Sequence, residues 1–248
     1  MKKSTKRALD KAVNFVNFSL KVDANSTSTA MAFQPKAPEK LNKFKKMINN
    51  LSKKITKELV KRNILSQDDF ELYHYGFFIA LSDLWLLTFT IIVGILLKAI
   101  VLSLVFFFSF FLIRRFAGGF HAKTEWQCQI YSLSSLLLSL ICAKYLLINL
   151  SGKHLLMLCL AGVIITTLLS PVDTYEKELS QSERKKFKSI TFCIGGALLL
   201  LNYILFNFKI QIACTGITTA YLLESILLIF GKIFNKSKRR KALLDTEN

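Results

Sequence analysis

The 248-residue sequence contains no HExxH, GxSxG or GxxxxGK[ST] motif. That excludes the zinc-protease, serine-hydrolase and P-loop classes, and with the last of them transport driven by the chain's own ATP hydrolysis. Its five cysteines form no CxxC pair and no other metal-ligand spacing, so the sequence calls for no metal and no cofactor. Residues 1–46 contain no cysteine at all. Acidic residues are scarce, 16 against 34 Lys and Arg, for a net charge of +18. Nucleic acid would be one partner for such an excess, but the basic residues gather outside the apolar runs. Charge placed there is retained on the cytoplasmic side of a membrane, where it meets anionic lipid, and the nucleic-acid reading is set aside.

What is abundant is apolar sequence, at 52% hydrophobic residues. Between Tyr75 and Phe234 the runs recur with short polar breaks, several reaching the roughly 20 residues that cross a hydrocarbon core. The expected fold is all-α and polytopic, with about six transmembrane helices near 76–97, 99–113, 130–150, 154–170, 189–207 and 210–231. The second is short, and either thins the bilayer or continues into the Arg114 region. Even-numbered crossings are followed by basic stretches: Arg114, Arg115 and Lys123; Lys177, Arg184, Lys185, Lys186 and Lys188; and Lys232 to Lys241. Odd-numbered ones are followed by a single lysine each, Lys98, Lys153 and Lys209. The asymmetry places both termini and both long connections in the cytoplasm.

The first 46 residues differ from the rest. Leu9, Ala12, Val13, Val16 and Leu20 share one helical face of Met1 to Val22, with Arg7, Lys11, Asn14 and Lys21 opposite, as in an N-terminal interfacial helix. A secretory signal is the competing reading, but Asp10, Lys11, Asn14 and Asn17 interrupt its apolar stretch. Residues 25–33 are small and polar, and Gln34-Pro35-Lys36-Ala37-Pro38-Glu39 cannot continue a helix. The segment is expected to be extended and accessible, as a plain linker would also be. Met47 reads as a second start, followed by a surface helix through Leu51 to Val60 and by Ser66-Gln67-Asp68-Asp69 as a cap. The chain therefore reads as two units in tandem, 1–46 and 47–248.

Three ionisable residues lie within the runs. Lys144 is near a helix end and can snorkel outward. Asp83 and Glu224 are deeper, have no evident basic partner within the apolar runs, and should face a partner or a wet cavity. A small transporter or peptide exporter using these two acids is the alternative reading of the chain. Cys142, Cys159, Cys193 and Cys214 sit in apolar runs and read as core packing.

Cys128 is different, since it lies among Glu125, Gln127 and Gln129 in the densest polar cluster, Arg114 to Cys128, at the end of the second crossing. A thiol is a useful nucleophile as thiolate, and an imidazole such as His121 can take its proton. The two are seven positions apart, which on one continuous helix means a rise of roughly 10 Å, too far for a hydrogen bond of about 3 Å. Gly118-Gly119 just before the histidine predicts a break that turns His121 back over Cys128. Spacing alone leaves open an interfacial histidine, a helix-end cysteine and a Gly-Gly cap.

At Arg114, Gly118-Gly119, His121-Ala122 and Cys128, and again at Ser170-Pro171-Val172-Asp173-Thr174 and the basic loop Glu183-Arg184-Lys185-Lys186, the sequence resembles the accessory gene regulator B family over 47–241. These are membrane peptidases that process quorum-sensing propeptides. The resemblance implies that His121 and Cys128 are catalytic, that Arg114 and Gly119 support activity, and that Arg184, Lys185 and Lys186 handle the peptide. Gly118 belongs to the same turn, and Asp173 is a candidate to orient His121. Residues 1–46 resemble the family's cyclic-lactone autoinducer propeptide: a leader over 1–22, a precursor core over about 25–33, and a recognition tail over 34–46. A propeptide thus precedes its own peptidase, serving it in cis or reaching a neighbouring copy. The resemblance implies cleavage between Phe33 and Gln34, a thioester from Cys128 to Phe33, and ring closure by residue 29. Most relatives have cysteine there; here it is Thr29, a much weaker nucleophile toward a thioester. Homodimers are also expected of the family. A silent binder of the peptide is the third reading.

Overall fold

The computed structural model describes residues 13–14, 43–119, 125–172 and 179–246, with side chains over 13–14, 46–119, 130–172 and 179–234. The leader, precursor core and recognition tail lie outside the described residues except for Val13 and Asn14, which are helical. Seven α-helices follow: α1 Lys43–Lys61, α2 Phe70–Leu96, α3 Ile100–Ala117, α4 Glu125–Tyr145, α5 Gly152–Leu169, α6 Gln181–Asn207 and α7 Gln211–Thr246. No strand occurs among the described residues.

Six of these helices are long and apolar enough to cross a membrane: Phe70–Leu96, Ile100–Ala117, Ile130–Asn149 with its final 3-10 turn, Gly152–Leu169, Gln181–Asn207 and Gln211–Phe234. The six expected crossings are therefore present. The short second one continues through Arg114 and Arg115 to 18 residues, the second of the two options its length allowed.

Two compact units, residues 1–86 and 87–248, make up the chain. In the first, Ile48, Ser52, Thr56 and Leu59 of α1 are buried while Lys46, Lys53, Lys54 and Lys57 face outward, the i, i+4 stripe of an amphipathic helix. Leu59 and Phe77 form a small apolar cluster with Ile55, Ile64, Leu65, Tyr73 and Val13. The Ser66 hydroxyl accepts from the amides of Asp68 and Asp69 at 3.2 and 3.3 Å, as its position ahead of α2 predicted.

In the second unit α7 is central. Its Ile217, Ala220, Tyr221, Glu224 and Leu228 are fully buried, or nearly so, whereas Leu138 of α4, Met157 of α5 and Leu200 of α6 are exposed, as lipid-facing side chains are. Helices α3, α5 and α7 run parallel. A Cβ on Gly216 would lie 2.9 Å from Val105 Cγ1, and further along the same pair Arg114 meets Glu224. Between α5 and α7, Thr218 Oγ1 donates to the Leu155 carbonyl at 3.3 Å, and deeper in the register Thr166 and Ser225 hydroxyls meet at 3.3 Å. Glycines permit this approach: a Cβ on Gly162 would sit 2.7 Å from Tyr221 Cβ. Helix α6 runs the other way, its late residue Asn202 donating to the Cys214 carbonyl and to Thr218 Oγ1, at 3.4 and 3.3 Å.

Two expectations are corrected. Cys159 and Cys214 are buried and Cys142 is half-buried, but Cys193 is exposed on α6 and packs no core. Its neighbours explain this, since Phe192 and Gly196 share the outward face. Lys144 reaches a protein partner: its ammonium donates to the Leu97 carbonyl, one of the acceptors left open at the end of α2, and lies 5.1 Å from the Tyr145 ring centroid.

The parallel packing makes a stability prediction. Gly162→Ala should lower the thermal unfolding midpoint in detergent micelles by the equivalent of about 1–3 kcal/mol, because its methyl has no room. Gly196→Ala, with nothing within 4 Å of its Cβ, should leave the midpoint unchanged or raise it. The reverse order would contradict the α5–α7 contact.

Candidate functional site

Helix α3 stops where the backbone stops being available to an ordinary residue. Gly118 has φ 79° and Gly119 φ 141°. The Gly118 amide still donates to the Arg114 carbonyl at 3.2 Å, and its own carbonyl accepts from Arg114 Nη1 at 2.7 Å. A Cβ at Gly118 would lie 2.4 Å from the Val172 carbonyl oxygen, and one at Gly119 would lie 1.6 Å from Arg114 Nη1. Both glycines are therefore required by contact as well as by backbone angle.

Two elements hold this turn. The Val172 amide, just after α5, donates to the Ala117 carbonyl at 3.0 Å and forms a single parallel bridge with Gly118. From α7, Glu224 approaches Arg114 with an N···O distance of 3.7 Å. Fourteen steps along α3 and thirteen along α7 bring both residues about 20 Å down their parallel helices, so the pair joins side chains at one depth. The Arg114 side chain is 11% exposed and that of Glu224 is 0%. Among the described residues no group hydrogen-bonds the Glu224 carboxylate, and Arg114 is the cation that balances it. Glu224 thus has the basic partner that its sequence context did not reveal. Arg115 is also buried, with its guanidinium 4.9 Å from the Phe111 ring centroid.

The predicted helix break just ahead of His121 is present, since α3 ends at Ala117 and Gly118 and Gly119 both take positive φ, while the expected return of His121 over Cys128 lies outside the described residues. Cys128 is the fourth described residue of α4, and its side chain lies outside the described residues. His121 and Asp173 lie outside the described residues, as do Thr29, Phe33 and Gln34. The basic segment is not a loop, as its charge suggested. Arg184, Lys185 and Lys186 occupy the first turns of α6, which Ser180 and Glu183 start with a capping box. The Ser180 hydroxyl accepts from the Glu183 amide at 3.3 Å, and the Ser180 amide donates to Glu183 Oε2 at 3.0 Å. All three cations are exposed.

The family described as Accessory gene regulator B matches the chain over residues 51–228. The chain belongs to the accessory gene regulator B family. Similar proteins include Accessory gene regulator protein B of Staphylococcus aureus strain JH9, 31% identical over 175 residues, covering 69% of this chain and 88% of that protein. The protein of the same description from Staphylococcus carnosus strain TM300 is 27% identical over 169 residues, covering 66% of this chain and 86% of its own. No solved structure matches. Family membership and the six apolar helices make the chain a multi-pass membrane protein with a role in the accessory gene regulator quorum-sensing system. Residues 1–46 lie ahead of the matched region.

What sequence reasoning missed is the pairing of Glu224 with Arg114 and of Val172 with the Ala117–Gly118 backbone. A signal for Glu224 did exist, in the nearly equal distances of Arg114 and Glu224 from the starts of two helices that cross in the same direction.

Removing one partner of a buried ion pair strands the other. Arg114→Ala should therefore cost about 3–5 kcal/mol of stability, read from unfolding in micelles. Arg114→Met combined with Glu224→Leu should recover most of that loss, because no charge is then left in the bundle. Absence of recovery would show that the pair's charges are not what holds the site.

Proposed function

We propose that the chain is a cysteine endopeptidase that cleaves a quorum-sensing propeptide between Phe33 and Gln34 and promotes closure of the released segment into a ring. The observation that carries this reading is the helix break at Gly118-Gly119, just ahead of His121, in a chain of this family. On one unbroken helix, His121 and Cys128 would be too far apart to exchange a proton.

In this mechanism His121 accepts the Cys128 thiol proton, and Sγ attacks the Phe33 carbonyl carbon. The Phe33–Gln34 bond breaks as the proton passes to the Gln34 amine, leaving a Cys128 thioester. Asp173 orients the imidazole. A hydroxyl or thiol at residue 29 then attacks the thioester, its proton returns to Cys128 sulfur, and a lactone or thiolactone closes. Thr29 makes this second step slow, because a threonine hydroxyl is a weak nucleophile, so water competes and gives a linear acid. No metal or cofactor takes part.

The propeptide is carried by residues 1–46, in cis or presented to a neighbouring copy within a homodimer, and a short flexible tether sets a local concentration of about millimolar order. The exposed Arg184, Lys185 and Lys186 hold the recognition tail, whose Glu39 carries the opposite charge. The basic stretches after the second, fourth and sixth crossings place both termini, and the site, on the cytoplasmic face.

The test uses membranes bearing the full chain with Thr29→Cys. Cleavage after Phe33 should occur and should vanish in Cys128→Ala. Iodoacetamide should label Cys128 faster than the buried Cys159 and Cys214 near neutral pH, and His121→Ala should slow that labelling. Cleavage that persists in Cys128→Ala would refute the mechanism, and equal, sluggish labelling would favour a silent peptide binder.

A further inference from the structure

We propose that Glu224 is a positioning residue for peptide cleavage that acts through Arg114. From the middle of α7 it retains the guanidinium that grips the Gly118 carbonyl, and so sets the turn from which the chain leads to His121 and Cys128. This rests on the peptidase reading above.

The placement of the carboxylate makes the case. Glu224 is fully buried among Ala220, Tyr221 and Leu228, where an ionised group is expensive and a leucine or glutamine would fill the space without that cost. At 3.7 Å the contact with Arg114 is an ion pair too long for a hydrogen bond, so it contributes charge balance without a fixed donor geometry of its own. The geometry is spent on Gly118, whose carbonyl takes the same Nη1 at 2.7 Å.

Arg114 lies three residues from the end of α3, where a long cationic side chain can also snorkel toward the membrane surface, and Glu224 offers its charge a partner on the inward side. Glu224 keeps it turned inward. The guanidinium then fills the space that a Cβ on Gly119 would need. Val172 grips the other side of the same turn through Ala117 and Gly118, and is itself the residue before Asp173. A two-residue turn is thus held from α7 and from the end of α5. Glu224 reaches the turn through its pair with Arg114, and that route is testable.

The full chain with Thr29→Cys is synthesised cell-free into liposomes with a pulse of label, and conversion to fragments cut after Phe33 is timed. Insertion is scored in parallel by trypsin protection. Glu224→Gln should slow cleavage by about 100-fold, the scale of a misplaced catalytic segment, and Glu224→Asp should recover part of the rate. Arg114→Gln with Glu224→Gln should be no slower than Arg114→Gln alone. A parental rate in Glu224→Gln, or losses that multiply in the double variant, would overturn the proposal. Where Glu224→Gln does not insert, Glu224→Asp decides, with slowed cleavage supporting the proposal and a parental rate overturning it. Cleavage that survives Cys128→Ala refutes the peptidase reading itself, whereas a Cys128-dependent reaction indifferent to Glu224 removes only the positioning role.

Discussion

The ion pair between Arg114 and Glu224 is the interaction around which the site is arranged. It joins two helices that cross in the same direction, at one depth, inside a bundle where neither charge can be left alone. Its cation also holds the Gly118 carbonyl, so the force that ties α3 to α7 fixes the end of α3 as well. The missing side chains of Gly118 and Gly119 are the complement of that arrangement, one making room for the Val172 carbonyl and the other for the guanidinium. Backbone and charge constraints thus converge on the two residues before the proposed catalytic segment.

Much of this was legible in the sequence, for reasons that differ between elements. The six crossings follow from run length, because lipid demands about 20 apolar residues per helix and tolerates few interruptions. The break after Ala117 could be read because a histidine and a cysteine seven positions apart cannot meet on one helix, and Gly118-Gly119 is where the chain can turn. The Ser66 cap needed only local chemistry. Glu224 was recognised as anomalous but not as paired, since its partner lies 110 positions earlier and looked like part of a surface charge cluster. Arg184, Lys185 and Lys186 were read as a loop because charge outweighed the Ser180 and Glu183 signature, which starts a helix. Cys193 was misassigned because an apolar run does not tell lipid-facing positions from core positions when both are apolar.

The propeptide role proposed for residues 1–46, ahead of the matched region, raises a chemical question specific to this chain. Acylation of Cys128 needs only the Phe33 carbonyl and a proton acceptor, while ring closure needs a competent nucleophile at residue 29. In the proposed mechanism Thr29 separates the two steps, favouring the first over the second. A thioester that forms readily and resolves slowly would leave the precursor attached to the protein that cut it. The positively charged start of α6 is suited to retaining such a peptide.

That separation offers the most direct view of the central claim, a covalent intermediate on Cys128. The unaltered chain, with Thr29 in place, is incubated in liposomes, quenched in acid and digested, and the peptide containing Cys128 is weighed. The account predicts that it carries the acyl segment ending at Phe33, that neutral hydroxylamine removes it, and that neither species appears in Cys128→Ala. Cleavage after Phe33 with no adduct on Cys128 at any time point, under conditions that preserve an authentic thioester standard, would contradict it.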